Sequence, residues 1–167
     1  QQYLPAFSMK YPSVHFEIYE GLMTNVVTQL INGSAELGIA NIQMVDIDKF
    51  DILLTQEEHL YAIFRRDVFW TDREHDTITW EDIKKCPLSL SGGSVRMIMQ
   101  SSLTDMEQLN AVAITTTKSS AIEWASSGRT VSLVPMDAKE LINHRKMVRI
   151  KLPEFSGDFK KAFITLK

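Results

Sequence analysis

Residues 11–40, YPSVHFEIYEGLMTNVVTQLINGSAELGIA, constrain the fold more than any other stretch, because they compress a strand, a turn, a helix, a stop and a second strand into one unit. Val14, Phe16 and Ile18 alternate with His15, Glu17 and Tyr19, the pattern of a strand with two chemically different faces. Glu20-Gly21 breaks that alternation, and Val26, Val27, Leu30 and Ile31 then recur at helical spacing. Asn32-Gly33 suits a helix stop, since both residues tolerate the left-handed conformation. Leu37-Gly38-Ile39-Ala40 reads as a buried second strand. Such a βαβ unit requires parallel strands and a right-handed crossover.

The remainder of the chain continues the alternation. Residues 1–10 carry Leu4, Phe7 and Met9 on one helical face, ending before Pro12. An acidic connection follows Ala40, with strand character returning at Leu53-Leu54 and at residues 60–64. Thr79 is placed to cap a helix over 80–85 that Cys86-Pro87 ends. Leu88-Ser89-Leu90 is a strand, Ser91-Gly92-Gly93-Ser94 a turn in which Ser94 caps the next helix, and residues 111–115 another strand. Ser119 or Ser120 caps a helix through Ala125 that stops at Gly128. Strands over 131–134, 147–152 and 161–166 and a helix over 137–143 complete an α/β chain with mainly parallel sheets.

Charge and cysteine content exclude some roles. The net charge is −3, so these residues lack the electrostatic footprint of a nucleic-acid binder. Asn143 to Lys151 is the only basic cluster, and it lacks interleaved aromatic residues. Cys86, the single cysteine, is compatible with a reducing cytoplasm and cannot form an internal disulfide. No apolar run approaches the ~20 residues of a membrane span, so no membrane partner is expected. Neither a phosphate loop nor a Gly-x-Ser-x-Gly nucleophile turn is present. The four histidines do not suggest a metal site. His59 follows Glu57 and Glu58 in strand-like sequence, where successive side chains diverge, and Asp72, Glu74, His75 and Asp76 form a solvated run. No cofactor, metal or catalytic pairing is expected.

Ligands of open α/β sheets collect beyond the carboxyl ends of strands, beside helix N-termini. That rule selects four loops: residues 21–25, 91–94, 115–119 and 135–136. They offer hydroxyls at Thr24, Ser91, Ser94, Thr116 and Thr117, an amide at Asn25 and free backbone N–H groups, with Lys118 and Arg96 nearby. This donor set suits a small anion such as a carboxylate. Capping helices and filling turns is the commoner work of Ser and Thr.

Two segments also carry a family resemblance. Tyr11-Pro12, Glu20-Gly21, Leu30, Gly33 and Glu36-Leu37-Gly38-Ile39-Ala40 resemble the start of the effector-binding domain of LysR-type transcriptional regulators, with Glu36 where that family usually has Asp and Met23 where it often has Ser or Thr. Residues 125–135, ASSGRTVSLVP, resemble the family's helix, Ala-Gly-x-Gly-x, strand, Pro segment, with Arg129-Thr130 replacing x-Gly. The resemblance implies two Rossmann-like lobes joined by two crossing strands, like type 2 periplasmic binding proteins. The crossings are expected near 59–64 and 131–135, with lobe one at 1–61 plus 135–167 and lobe two at 62–134. It places an effector between the lobes, contacting Met23, Thr24, Asn25, Ser91, Gly92, Ser94, Thr116, Thr117 and Pro135, with Ser91 and Thr116 foremost. It further implies a first strand and an N-terminal winged helix-turn-helix before Gln1. Members form homodimers or homotetramers and reach DNA through that head, which makes the helices at 23–32 and 119–127 dimer-face candidates. The alternative is a free-standing solute-binding protein of a transporter, with the same architecture.

Overall fold

The apolar residues sort into separate cores that follow two separate sheets. The computed structural model describes residues 4–69, 78–135, 146–155 and 159–167. Trp70, the acidic run at 72–76, the expected helix at 137–143, Met136 and Asn143-His144-Arg145 lie outside them.

The first sheet contains β1 (Gly38–Asn41), β2 (Phe50–Glu57) and β8 (Lys160–Leu166), in the order β1-β8-β2. β8 is antiparallel to both neighbours. Helix α2 (Met23–Ile31) covers it, and Leu30, Ala40, Phe50, Ala162 and Ile164 form the buried core. The helix stops where the sequence suggests: the Asn32 N–H donates to the Thr28 carbonyl at 3.0 Å, and Gly33 turns to φ +73°. Gly38 lets helix and sheet meet, because a Cβ there would lie 2.8 Å from Leu30 Cδ1 and 2.9 Å from Val26 Cγ1.

The expected strand over 14–19 does not form. Residues 14–22 belong to no ladder, and Ile18 and Tyr19 are more than half exposed. Alternation supplies two faces, but a strand also needs a neighbour to exchange backbone hydrogen bonds with, and β1 pairs with β8 instead. The segment packs against helix α1 (Leu4–Lys10), with the Phe7 ring 5.8 Å from that of Phe16.

The second sheet contains β3 (Tyr61–Arg65), β4 (Leu88–Ser91), β5 (Ala111–Thr115), β6 (Val131–Val134) and β7 (Met147–Lys151), in the order β5-β4-β6-β3-β7. β4 is parallel to β5 and β6, whereas β3 is antiparallel to β6 and β7. With the antiparallel first sheet, parallel pairing is therefore less general than strand–helix alternation suggests. All residues of β4 and β6 are buried, as interior strands covered on both faces should be. Ser89 fits there because its hydroxyl donates to the Ala121 carbonyl at 2.9 Å and lies 2.8 Å from Thr130 Oγ1. Short helices α3 (Arg66–Phe69) and α4 (Trp80–Lys84) and longer α5 (Gly92–Ser101) and α6 (Lys118–Ser126) surround this sheet. Thr79 caps α4 reciprocally with Asp82, as its position predicts. The other two caps fall earlier than expected: Ser91 caps α5 and Thr117 caps α6.

The chain passes from the first sheet to the second through Glu58-His59-Leu60. Its return lies later than the expected crossing at 131–135. β6 is held between β4 and β3, and β7 pairs with β3, so both are strands of the second sheet. β7 leads into Leu152 and a short 3-10 turn at Pro153–Phe155, and Phe159 precedes β8.

Replacing Gly38 with Ala should force α2 away from β1 and lower stability by about 1–3 kcal/mol. Urea denaturation measures this, and an unchanged midpoint would mean that the helix rests loosely on the sheet.

Candidate functional site

Strand direction decides which side chains can share a site. The carboxyl ends of β4, β5 and β6 lie along one edge of the second sheet, together with the amino end of β3, since Tyr61 opposes Val134. On the first sheet, Asn41 and Gln56 both oppose Lys161, so the ends of β1 and β2 meet the start of β8. The Glu58-His59-Leu60 connection links these two edges.

Glu58 stands at the junction, 6% exposed. Its backbone N–H donates to the Phe159 carbonyl at 2.7 Å, which holds the outgoing and returning connections together. Its carboxylate draws cations from both sides. Lys161 Nζ of β8 lies 3.0 Å from Oε1, Arg96 Nη2 of α5 lies 3.5 Å from Oε2, and Lys118 Nζ at the start of α6 lies 3.9 Å from Oε1. The Lys161 contact has ion-pair distance without hydrogen-bond alignment, so Oε1 has no hydrogen-bond partner. Arg96 Nε and Asn41 Nδ2 are likewise buried and unpartnered. Asn41 is opposite Lys161 in the ladder, which puts both side chains on one face of the first sheet.

Lys118 registers the crowding. Burial pushes its ammonium down to about 8, repulsion from Lys161 and Arg96 adds to this, and attraction to Glu58 opposes it only in part.

The sequence-expected ligand residues divide between the two sides. Met23, Thr24 and Asn25 open α2 on the first sheet. Asn25 lines a cavity of about 230 Å³ with Tyr19, Glu20 and Gly21, and that lining contains no residue of the other three loops. Ser91, Gly92, Ser94, Thr116, Thr117 and Pro135 gather along the second sheet's edge. Ser91 opposes Thr115, and a Cβ on Gly93 would lie 2.7 Å from Pro135 Cγ. Ser91 and Ser94 are buried and committed to each other: the Ser94 hydroxyl donates to the Ser91 carbonyl and accepts from its N–H, both at 2.7 Å, while Ser91 Oγ accepts from the Ser94 N–H at 3.3 Å. Thr117 Oγ1 accepts from the Ser120 N–H at 3.1 Å. Thr116 and Thr117 are exposed. Among the described residues, no group of His, Cys, Asp and Glu could hold a metal ion, and no helix is long and apolar enough to cross a membrane.

Sequence reasoning singled out Arg96 and Lys118 only as neighbours, and missed Asn41, Glu58 and Lys161. A polar break between two apolar strands was the signal available at Glu58. Nothing local announces that Lys161, over a hundred residues later, returns to it.

Over residues 1–166 the chain matches the family model described as LysR substrate binding domain. No curated protein matches it. Solved structures do, at low identity. The sulfate-bound regulatory domain of an OxyR2 mutant from Vibrio vulnificus is 16% identical, with a TM-score of 0.72 over 98% of this chain and 77% of that one. A putative LysR family transcriptional regulator from Pseudomonas aeruginosa is 18% identical, with a TM-score of 0.74 over 99% and 63%. A full-length BenM mutant is 13% identical, with a TM-score of 0.76 over 99% and 55%. The chain thus spans less than two thirds of the length of the last two. These likenesses show a shared fold of the periplasmic-binding-protein type 2 kind.

Lys118→Met should raise stability at neutral pH by about 1–3 kcal/mol, because it removes a partly desolvated and repelled ammonium. The folded value near 8 lies below the unfolded ~10.4, so between them the unfolded chain binds more protons and this lysine's penalty fades as pH rises. The advantage of Lys118→Met over the parent should therefore shrink from about pH 7 to about pH 10. Denaturation at several pH values tests this, and a variant less stable at neutral pH would show that attraction to Glu58 prevails.

Proposed function

Because this chain belongs to the LysR substrate-binding domain family, we propose that it senses a small anionic metabolite for a cytoplasmic DNA-bound transcriptional regulator. The observation supporting the ligand is the polar junction between the sheets, where helix N-termini and cations from two lobes converge beside Thr116, Thr117 and Pro135. An effector bound there touches both lobes and so can favour one relative arrangement over another, which is the requirement for any signal. Met23, Thr24 and Asn25 contribute from the first-sheet side. Gly92 contributes its backbone N–H group, whereas Ser91 and Ser94, whose N–H groups and hydroxyls bond to each other, contribute after local rearrangement.

DNA contact belongs to a separate winged helix-turn-helix domain, consistent with the net charge of −3 here. Full-length CbnR, which is 15% identical to this chain, has been solved in complex with its target DNA. The structures named above are regulators, which favours this role over that of a transporter's solute-binding protein. Catalysis forms no part of the proposal.

Oligomerisation is the second element of the proposal, with α2 and α6 on the dimer face. Ile31 is 53% exposed and Trp124 38% exposed, so each helix presents a large apolar side chain that a second copy could cover.

Two experiments follow. In a thermal-unfolding screen of carboxylate metabolites, a ligand present at ~100 times its Kd should stabilise the chain by about 2.7 kcal/mol, roughly 5–10 °C. Thr116→Ala should reduce that shift without altering the ligand-free melting temperature. A ligand shift that survives Thr116→Ala and Thr117→Ala together would remove this edge from the site. For assembly, Ile31→Glu should convert a dimer to monomer by light scattering with an unchanged circular dichroism spectrum, and an unchanged mass would take α2 off the interface.

A further inference from the structure

The junction around Glu58 is unbalanced in charge. Arg96, Lys118 and Lys161 bring three cations to one carboxylate, which leaves two positive charges in excess. Among the described residues, each of these cations makes its ion pair with Glu58 alone. The three cations are only 27–35% exposed around a carboxylate that is 6% exposed, so their surplus charge is partly desolvated and is stabilised by an anion that neutralises it. We propose that this cluster binds a small dianion, a dicarboxylate or a divalent oxyanion, whose two charges balance the two cations that Glu58 leaves over. The inference rests on the effector-site reading above and adds the charge class of the ligand and the residues that select it.

Three further observations support it. Donors there are unpartnered: Asn41, 7% exposed, has a free Nδ2 on the same face as Lys161, and Arg96 Nε is buried without an acceptor. Both helices that deliver the cations begin at this edge. Lys118 is the first residue of α6, and Arg96 lies one turn into α5, so their N-terminal dipoles favour the same sign of ligand charge. The cations also come from both sides, with Lys161 on the first sheet and Arg96 and Lys118 on helices of the second. A dianion spanning them would tie the lobes together, whereas a monoanion would leave one charge unmatched. The lowered proton affinity of Lys118 agrees with under-compensation. Glu58 acts as a resident counter-anion that sets the valence of the ligand.

The test compares sulfate and malonate with acetate and chloride at matched ionic strength, reading thermal unfolding and titration calorimetry on the 167-residue chain. Sulfate or malonate should bind saturably and at least about ten-fold more tightly than either monoanion, and their ranking separates oxyanion from dicarboxylate. Arg96→Gln or Lys161→Gln should weaken the preferred dianion by about ten-fold or more. Both variants relieve repulsion, so they remain folded where Glu58→Gln fails to fold. If Glu58→Gln folds, its excess rises to three charges and dianion binding should tighten several-fold. Equal binding of acetate and malonate, or dianion binding indifferent to both Arg96→Gln and Lys161→Gln, would overturn the inference. A neutral or singly charged metabolite whose stabilisation depends on Thr116 would also overturn it, while leaving the effector-binding function in place.

Discussion

Glu58 is the constraint around which the two lobes are arranged. A carboxylate so deeply buried must be compensated, and no residue next to it in sequence does so. The compensation comes from three places far apart in the chain: α5, α6 and β8. Its backbone N–H is anchored at the same time to the Phe159 carbonyl of the returning connection. One residue therefore fixes how the sheet edges approach and draws the helix starts of one lobe toward a strand of the other. Removing Glu58 would leave three cations facing one another, whereas removing one of the cations relieves repulsion and still leaves the carboxylate paired.

The short loops of the second lobe follow from local chemistry placed at the carboxyl ends of parallel strands. Ser91 ends β4 and begins α5, and its reciprocal bonds with Ser94 use up the hydroxyls that would otherwise be exposed to a ligand. Gly93 follows because Pro135 occupies the space of a Cβ. Thr117 performs the corresponding task for α6, which leaves Lys118 as the first helical residue, beside the buried carboxylate. Capping and the proposed ligand binding thus draw on the same residues. A hydroxyl's type and position cannot tell which use prevails, whereas its burial and partners can.

Caps and strands differ in how far neighbouring residues specify them. Thr79 was legible because its box partner Asp82 is a charged residue at the required spacing. Ser91 and Thr117 were not, since each stands among several hydroxyl residues with equal local claims. Residues 14–19 have faultless alternation yet form no ladder, because pairing depends on what runs alongside. Val131–Val134 reads correctly as a strand, but sequence could not say that β3 and β4 enclose it in the second sheet.

Apolar periodicity, glycine stops and turn residues by themselves determined that this is an α/β chain, where most helices and strands lie, and which family it resembles. These signals act within one turn or one strand, so they are written in neighbouring residues. Tertiary structure alone decided strand order, the point of return between lobes, and the meeting of Asn41, Glu58, Arg96, Lys118 and Lys161. Those depend on hydrogen-bond ladders and charge compensation between residues up to more than a hundred positions apart, and no local preference encodes which distant partner a buried charge will find.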